Sequence, residues 1–234
     1  MNKIKSVWLW FGLLVLTFQV NAAFTLNGTR FIYDEDSNNV SVEVSNESNV
    51  TYGGQIWVSN FRDNDKDVYL IPSPSFFKVE GKQKQVVRIM EVNNNLPKDR
   101  ESLFWINVQE VPPVPEASEG GSSLALAMNI QVKLIYRPSS VKEQRNNAEQ
   151  KIRLVKDGLN MYLENPTPFY FAVSGILYDG EFVNVGNDNQ ISRLAPFSRV
   201  HVVDIDIPAA KAVVSVEAIN DFGGKQLYEI SAAM

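Results

Sequence analysis

The sequence predicts an all-β protein built from antiparallel sandwiches. Three observations carry this reading. Apolar and polar residues alternate with a period of two through many short runs, so one face of each run turns inward. Clusters of Asn, Asp, Ser, Gly and Pro separate the runs at short intervals. No stretch beyond residue 22 carries a convincing helical period.

Met1–Ala22 is expected to lie outside the fold. Lys3 and Lys5 form a positive start, Val7–Phe18 is an apolar run too short to cross a bilayer comfortably, and Val20-Asn21-Ala22 resembles a small-residue cleavage site. This predicts export, a mature start near Ala23 and no membrane anchor. The formal net charge of the whole sequence is −5, and loss of the two lysines makes the mature chain more acidic still. That balance, with no Lys/Arg run, argues against nucleic acid as a partner. With 44% hydrophobic residues among 234, the chain can bury one large core or two small ones. It has no Cys, so an exported fold must rely on those cores. Asn27, Asn39, Asn46 and Asn49 open Asn-X-Ser/Thr triplets, which fit glycan acceptors or simply Asn-rich turns.

From Ala23 onward nearly everything reads as strand. Val40–Val44 alternates cleanly, and Gln55–Phe61, Val68–Ile71, Val86–Val92 and Leu103–Val111 follow, each bounded by turn residues. Pro112–Ser123 is a loop by composition. It leads into Leu124–Tyr136, where every even position is large and apolar. Thirteen such residues would reach about 43 Å, roughly twice a typical strand. Periodicity alone leaves Leu124, Leu126, Met128 and Ile130 equally compatible with home core and with an edge offered to a partner. The strand's length and the loop before it favour the partner, because a long exposed apolar edge recruits other chains. Val132, Leu134 and Tyr136 read as home core. Arg137-Pro138-Ser139-Ser140 and the polar Lys142–Lys151 segment mark a domain boundary, placing 23–140 in one domain and 141–234 in a second. The second repeats the all-strand reading through Ile152–Lys156, Asn160–Glu164, Phe169–Tyr178, Arg199–Ile205, Val213–Ile219 and Gln226–Ile230, with no internal repeat that aligns clearly.

Enzyme chemistry finds little support. His201 is the only His and lies in a strand-like run, Cys is absent, and there is neither a Gly-rich phosphate loop nor a Gly-x-Ser-x-Gly elbow. Asp34/Asp36 and Asp204/Asp206 are carboxylate pairs of a kind common on turns and strand faces. No catalytic residue, metal, nucleotide or other cofactor is expected.

The segment Leu96–Pro112 (LPKDRESLFWINVQEVP) resembles the defining motif of the periplasmic pilus (fimbrial) chaperones of Gram-negative bacteria. The run Val132–Pro138 (VKLIYRP) resembles the same family, as do Asn165-Pro166-Thr167-Pro168, Leu194–Ser198 (LAPFS) and Ile219–Gly224 (INDFGG). The blocks keep their order over nearly the whole mature chain. The resemblance implies two immunoglobulin-like β-sandwich domains in an L or boomerang arrangement. It implies strand donation to a pilin subunit by Leu124, Leu126, Met128 and Ile130, and delivery of that subunit, without nucleotide, to an outer-membrane usher. It places the anchor for the pilin's C-terminal carboxylate on Arg30 and Lys133, which as isolated residues would read as solvated strand positions. It places a buried ion-pair network on Glu101, Arg137 and Asp221. Thr51-Tyr52-Gly53 stands where many members carry Pro-Tyr-Leu, the chain is acidic where several members are basic, and no Cys pair brackets the loop before the donor strand. The short-loop branch fits best. Self-association of the subunit-free protein is a further expectation from the exposed edge. The competing reading is an exported immunoglobulin-like adhesin or pilus structural subunit. That reading calls for an N-terminal donor segment and usually a disulfide, and the sequence offers neither.

Overall fold

The computed structural model describes residues 23–62, 64–114, 126–158, 160–183, 190–202 and 213–233. These form two sandwiches whose buried cores share no residue: one draws on positions between Ala23 and Tyr136, the other on positions between Val141 and Ile230.

The first sandwich places a four-stranded sheet against a five-stranded one. The four-stranded sheet runs in the order β1 (Phe24–Leu26), β3 (Val40–Asn46), β7 (Lys84–Glu91), β5 (Leu70–Ser73). The five-stranded sheet runs β2 (Arg30–Asp34), β9 (Asn129–Arg137), β8 (Ser102–Val111), β4 (Tyr52–Asn60), β6 (Phe76–Val79). The sequence gives no alternation strong enough to mark β1, β2 or β6, which are 3–5 residues long. Between β1 and β2 the chain crosses from one sheet to the other at Asn27–Thr29. The inward rows Val42/Val44, Val87/Ile89, Ile106/Val108 and Val132/Leu134/Tyr136 fill the space between the sheets.

The second sandwich is a single hydrogen-bonded sheet folded over itself. Its order is β13 (Glu181–Val183), β12 (Ala172–Tyr178), β15 (Val214–Ile219), β16 (Lys225–Ala233), β10 (Arg153–Asp157), β11 (Asn160–Asn165), β14 (Ser198–Val202). β16 makes the fold-over: residues 225–230 pair antiparallel with β15, and residues 231–233 pair parallel with β10. The polar Lys142–Lys151 segment, which by sequence marks the domain boundary, is packed. It follows a one-turn helix at Ser139–Lys142 and ends in a 3-10 turn at Ala148–Lys151, and Val141, Ala148 and Glu149 are buried.

One internal equivalence escaped the sequence. Asn46 closes β3 with its amide donating to the Val50 and Val79 carbonyls (2.8 and 2.9 Å), while its Oδ1 accepts from the Ser48 N–H and hydroxyl. Asn165 does the same at the end of β11, donating to the Phe169 and Ala195 carbonyls and accepting from the Thr167 N–H and hydroxyl. A buried Asn must satisfy its donors and its acceptor, and this turn does so locally. Asn46 is therefore a turn lock. Its amide is spent inside the fold, which overturns the glycan option at that triplet.

Candidate functional site

β9 carries two different faces and two different edges. Its inward face is Ile130, Val132, Leu134 and Tyr136, all packed in or against the first core. Its outward face changes character along its length. Gln131 donates to Asn107 Oδ1 (2.8 Å), Lys133 pairs across from Trp105, Ile135 is buried outside the first core, and Arg137 ends the row in an ion network. One edge is paired along the strand with β8, from Asn129↔Gln109 to Tyr136↔Ser102. The other edge is paired only from Lys133 onward, where β2 runs parallel with Arg30 opposite Lys133. Because the chain reaches β2 only after crossing between sheets, no strand among the described residues covers 129–132 on that side.

The ladder also starts later than the alternation predicts. β9 begins at Asn129, not Leu124. Glu110 N–H still donates to the Met128 carbonyl (2.9 Å), but the register makes Pro112 the partner of Leu126 in the next hydrogen-bonded pair. Proline has no N–H, so one of the two bonds of that pair is lost. Of the four donor positions, Leu124 lies outside the described residues. Leu126 and Met128 extend the inward parity of β9 beyond the ladder, with 69% and 47% of their surface exposed. Ile130 is half-buried against the home core, so it is only partly an overhanging residue.

Arg30 and Lys133 stand side by side where the two sandwiches meet. The Arg30 guanidinium donates to the carbonyls of Ile219 (2.7 Å) and Asn220 (3.2 Å), and the Lys133 ammonium donates to the Ser192 carbonyl (2.6 Å). All three acceptors belong to the second sandwich. With Arg193 they line a small pocket floored by Leu103, Ile135 and Phe171. Among the described residues no carboxylate lies within 4 Å of any of the three cations. Burial pulls the Arg30 guanidinium down, partly offset by the more distant Asp221. Burial, then Arg30, then Arg193, hold the Lys133 ammonium down at about 8.

Glu101, Arg137 and Asp221 come together as one network, and it is larger than the sequence suggests. Arg137 Nε meets Glu101 Oε1 at 2.7 Å, and Arg137 Nη1 meets Asp221 Oδ2 at 2.8 Å. Arg145 then bridges Asp221 Oδ1 (3.0 Å) to Glu149, which it holds with two bonds of 2.7 and 2.8 Å. Five alternating charges thus link β9, the residue just before β8, the segment after the short helix, and the β15–β16 turn. Burial pushes the Asp221 carboxyl up, but Arg137 and Arg145 overcome it and hold the group below the usual carboxylate range. Glu101 is also held across the interface: its Oε2 accepts the Tyr170 N–H (2.7 Å), and its own N–H donates to the Pro168 carbonyl. Arg145 and Glu149 sit at i and i+4, the signal that identifies a pair on one helical turn. The polar composition around them gives no sign that the pair is buried.

Elsewhere, Asp34 and Asp36 share Lys142 (3.1 and 3.6 Å), and Asp204/Asp206 lie outside the described residues. His201 is exposed on β14 beside Tyr162, its Nε2 3.2 Å from Asn160 Oδ1.

Residues 23–142 match the family model for the N-terminal domain of the pili and flagellar-assembly chaperone PapD, and residues 147–230 match the model for the PapD C-terminal domain. The chain belongs to the pilus assembly chaperones. It is 45% identical to the Escherichia coli chaperone protein FanE over 98% of both chains, and 34% identical to E. coli FaeE over 98% of this chain and 87% of that one. Among solved structures, it superposes on one of Salmonella enterica SafA pilin in complex with the SafB chaperone, with a TM-score of 0.72 and 27% identity, covering 91% of this chain and 97% of the matched one. The Pseudomonas aeruginosa CupB2 chaperone gives 0.71 at 29% identity, covering 88% and 98%. The two-sandwich architecture expected from the sequence is thus the family's, and the adhesin reading is not favoured.

Proposed function

We propose that this chaperone captures a fimbrial subunit along the open edge of β9. The observation that carries the reading is the strand's uneven pairing: residues 129–132 offer backbone groups to a partner, and the edge leads directly to Arg30 and Lys133. An extended subunit segment added there gains main-chain hydrogen bonds, and its register is fixed where its chain end meets the cations. A terminal carboxylate has two acceptor oxygens, and charge-assisted bonds to it are worth about 1.5–3 kcal/mol each. Leu126 and Met128, with Leu124 before them and Ile130 after, enter the groove of the subunit. Burying each exposed side chain contributes roughly 1.5–3 kcal/mol, much of it offset by the cost of association.

Residues 23–140 form the domain that carries the edge, and residues 141–234 close the carboxylate site. The chain acts in the periplasm after export directed by Met1–Ala22, hands its subunit to an outer-membrane usher, and works by binding rather than catalysis. When free of subunit, the same edge supports self-association.

Co-expression with a neighbouring fimbrial subunit, followed by pull-down from periplasm, tests this. The wild-type chain recovers subunit, whereas the Arg30→Ala/Lys133→Ala double variant folds and recovers none. Undiminished recovery with the double variant would sink the anchor.

A further inference from the structure

Three cations from three chain segments meet at the interdomain pocket, and the third comes from the second sandwich. Arg193 ends the 3-10 turn Ile191–Arg193 and lines the pocket opposite Arg30 and Lys133. Its guanidinium lies over the ring of Phe61, 5.6 Å from the centroid. Phe61 is itself held between Trp105 and Tyr170, at 6.3 and 6.4 Å. A guanidinium stacked on an aromatic face keeps its in-plane N–H donors for a second partner. Ser192, the residue before Arg193, supplies the carbonyl that receives the Lys133 ammonium. One short turn therefore both steadies Lys133 and presents Arg193.

The cluster is costly as it stands. Like charges gathered at a half-buried site disfavour one another, and Lys133 feels both arginines as repulsion. An anion in the pocket relieves all three at once. Neither β2 nor β9 needs Arg193 for its own pairing, and Arg193 meets the first sandwich at the Phe61 ring and along the shared pocket lining.

We propose that Arg193 is a third anchor for the subunit's terminal carboxylate, so that the chain end is held from both sandwiches at once. This rests on the carboxylate reading of Arg30 and Lys133. It adds that the second sandwich contributes binding energy at the chain end, not only a wall.

The test uses the full mature chain and a synthetic peptide of the C-terminal strand of the fimbrial subunit that co-purifies with it. The peptide is made as the free acid and as the C-terminal amide, and dissociation constants are measured for the wild type, Arg193→Gln and Arg193→Lys. The wild type prefers the acid. Arg193→Gln weakens acid binding about tenfold, leaves amide binding unchanged, and Arg193→Lys recovers part of the loss. If Arg193→Gln keeps the full acid preference, Arg193 is not an anchor, while Arg30 and Lys133 stand. If Arg193→Gln loses acid and amide affinity equally, Arg193 only props up Phe61 and the proposal fails. If the wild type itself does not distinguish acid from amide, the carboxylate reading falls and this inference falls with it. Unchanged thermal unfolding of Arg193→Gln shows that the fold is intact.

Discussion

Raising the pH through 8 should switch off subunit anchoring, because one of the two principal anchors loses its charge there. Burial and the neighbouring Arg30 and Arg193 hold the Lys133 ammonium at about 8 in the subunit-free protein. The groups that face it are those two arginines, from β2 and the 3-10 turn, and Tyr170, whose phenol burial keeps neutral above its ordinary range. Lys133 is thus roughly 90% charged at pH 7, half charged at pH 8 and roughly 10% charged at pH 9. The ligand carboxylate, with an ordinary value of about 3.5, stays ionised throughout. A bound carboxylate raises the ammonium's proton affinity, so binding takes up a proton once the pH exceeds 8. The dissociation constant then rises about tenfold per pH unit, roughly thirtyfold between pH 7 and 9.5. Titration calorimetry with the free-acid peptide, in two buffers of different ionisation enthalpy, reads both the affinity and the proton uptake. Lys133→Arg should bind with the same strength at pH 7 and 9.5. A wild-type dissociation constant that stays flat over this range would refute the argument. Stability of the free protein moves the other way: the folded-state value lies below the unfolded one, so the unfolded chain binds more protons between pH 8 and about 10.4, and stability rises with pH across that window.

Four further outcomes follow from the packing. Arg145→Met leaves Glu149 buried without its two bonds and Asp221 with one cation, and should cost about 3–5 kcal/mol in urea unfolding at pH 7. Leu126→Glu should abolish subunit capture with no change in unfolding midpoint, whereas Leu134→Ala, in a fully buried position two pairs along the same face from Ile130, should cost about 2–5 kcal/mol. Gly81→Ala would place a methyl carbon 2.5 Å from the Asn49 backbone and should lower the thermal midpoint of the first sandwich through about 1–3 kcal/mol of strain. Asn46→Ala strands the Val79 carbonyl and should cost about 1–3 kcal/mol, with Asn165→Ala costing a similar amount in the second sandwich.

What the sequence disclosed and what it hid divide along a physical line. A strand with one buried face announces itself, because burial imposes a period of two; β3 was legible on that ground alone, and in β8 and the second half of β9 the inward row keeps the period although part of the other face is buried too. Short strands such as β1 and β2 have too few residues to show a period, yet it is the placement of β2 that leaves half of β9 uncovered. The start of β9 depends on a residue just past the end of β8, Pro112, which withholds a donor that alternation within 124–136 cannot register. The cation site is hidden in the same way. Arg30 and Lys133 are 103 positions apart and meet only through a parallel register, and Arg193 arrives from a different sandwich. The polar composition of 142–151 marks the boundary but hides its packing, because Arg145 and Glu149 neutralise each other and can be buried as a pair. A property that one strand needs for its own burial is written in that strand. The open edge and the charge cluster are properties of how strands from distant parts of the chain fall against one another, so only the assembled fold displays them.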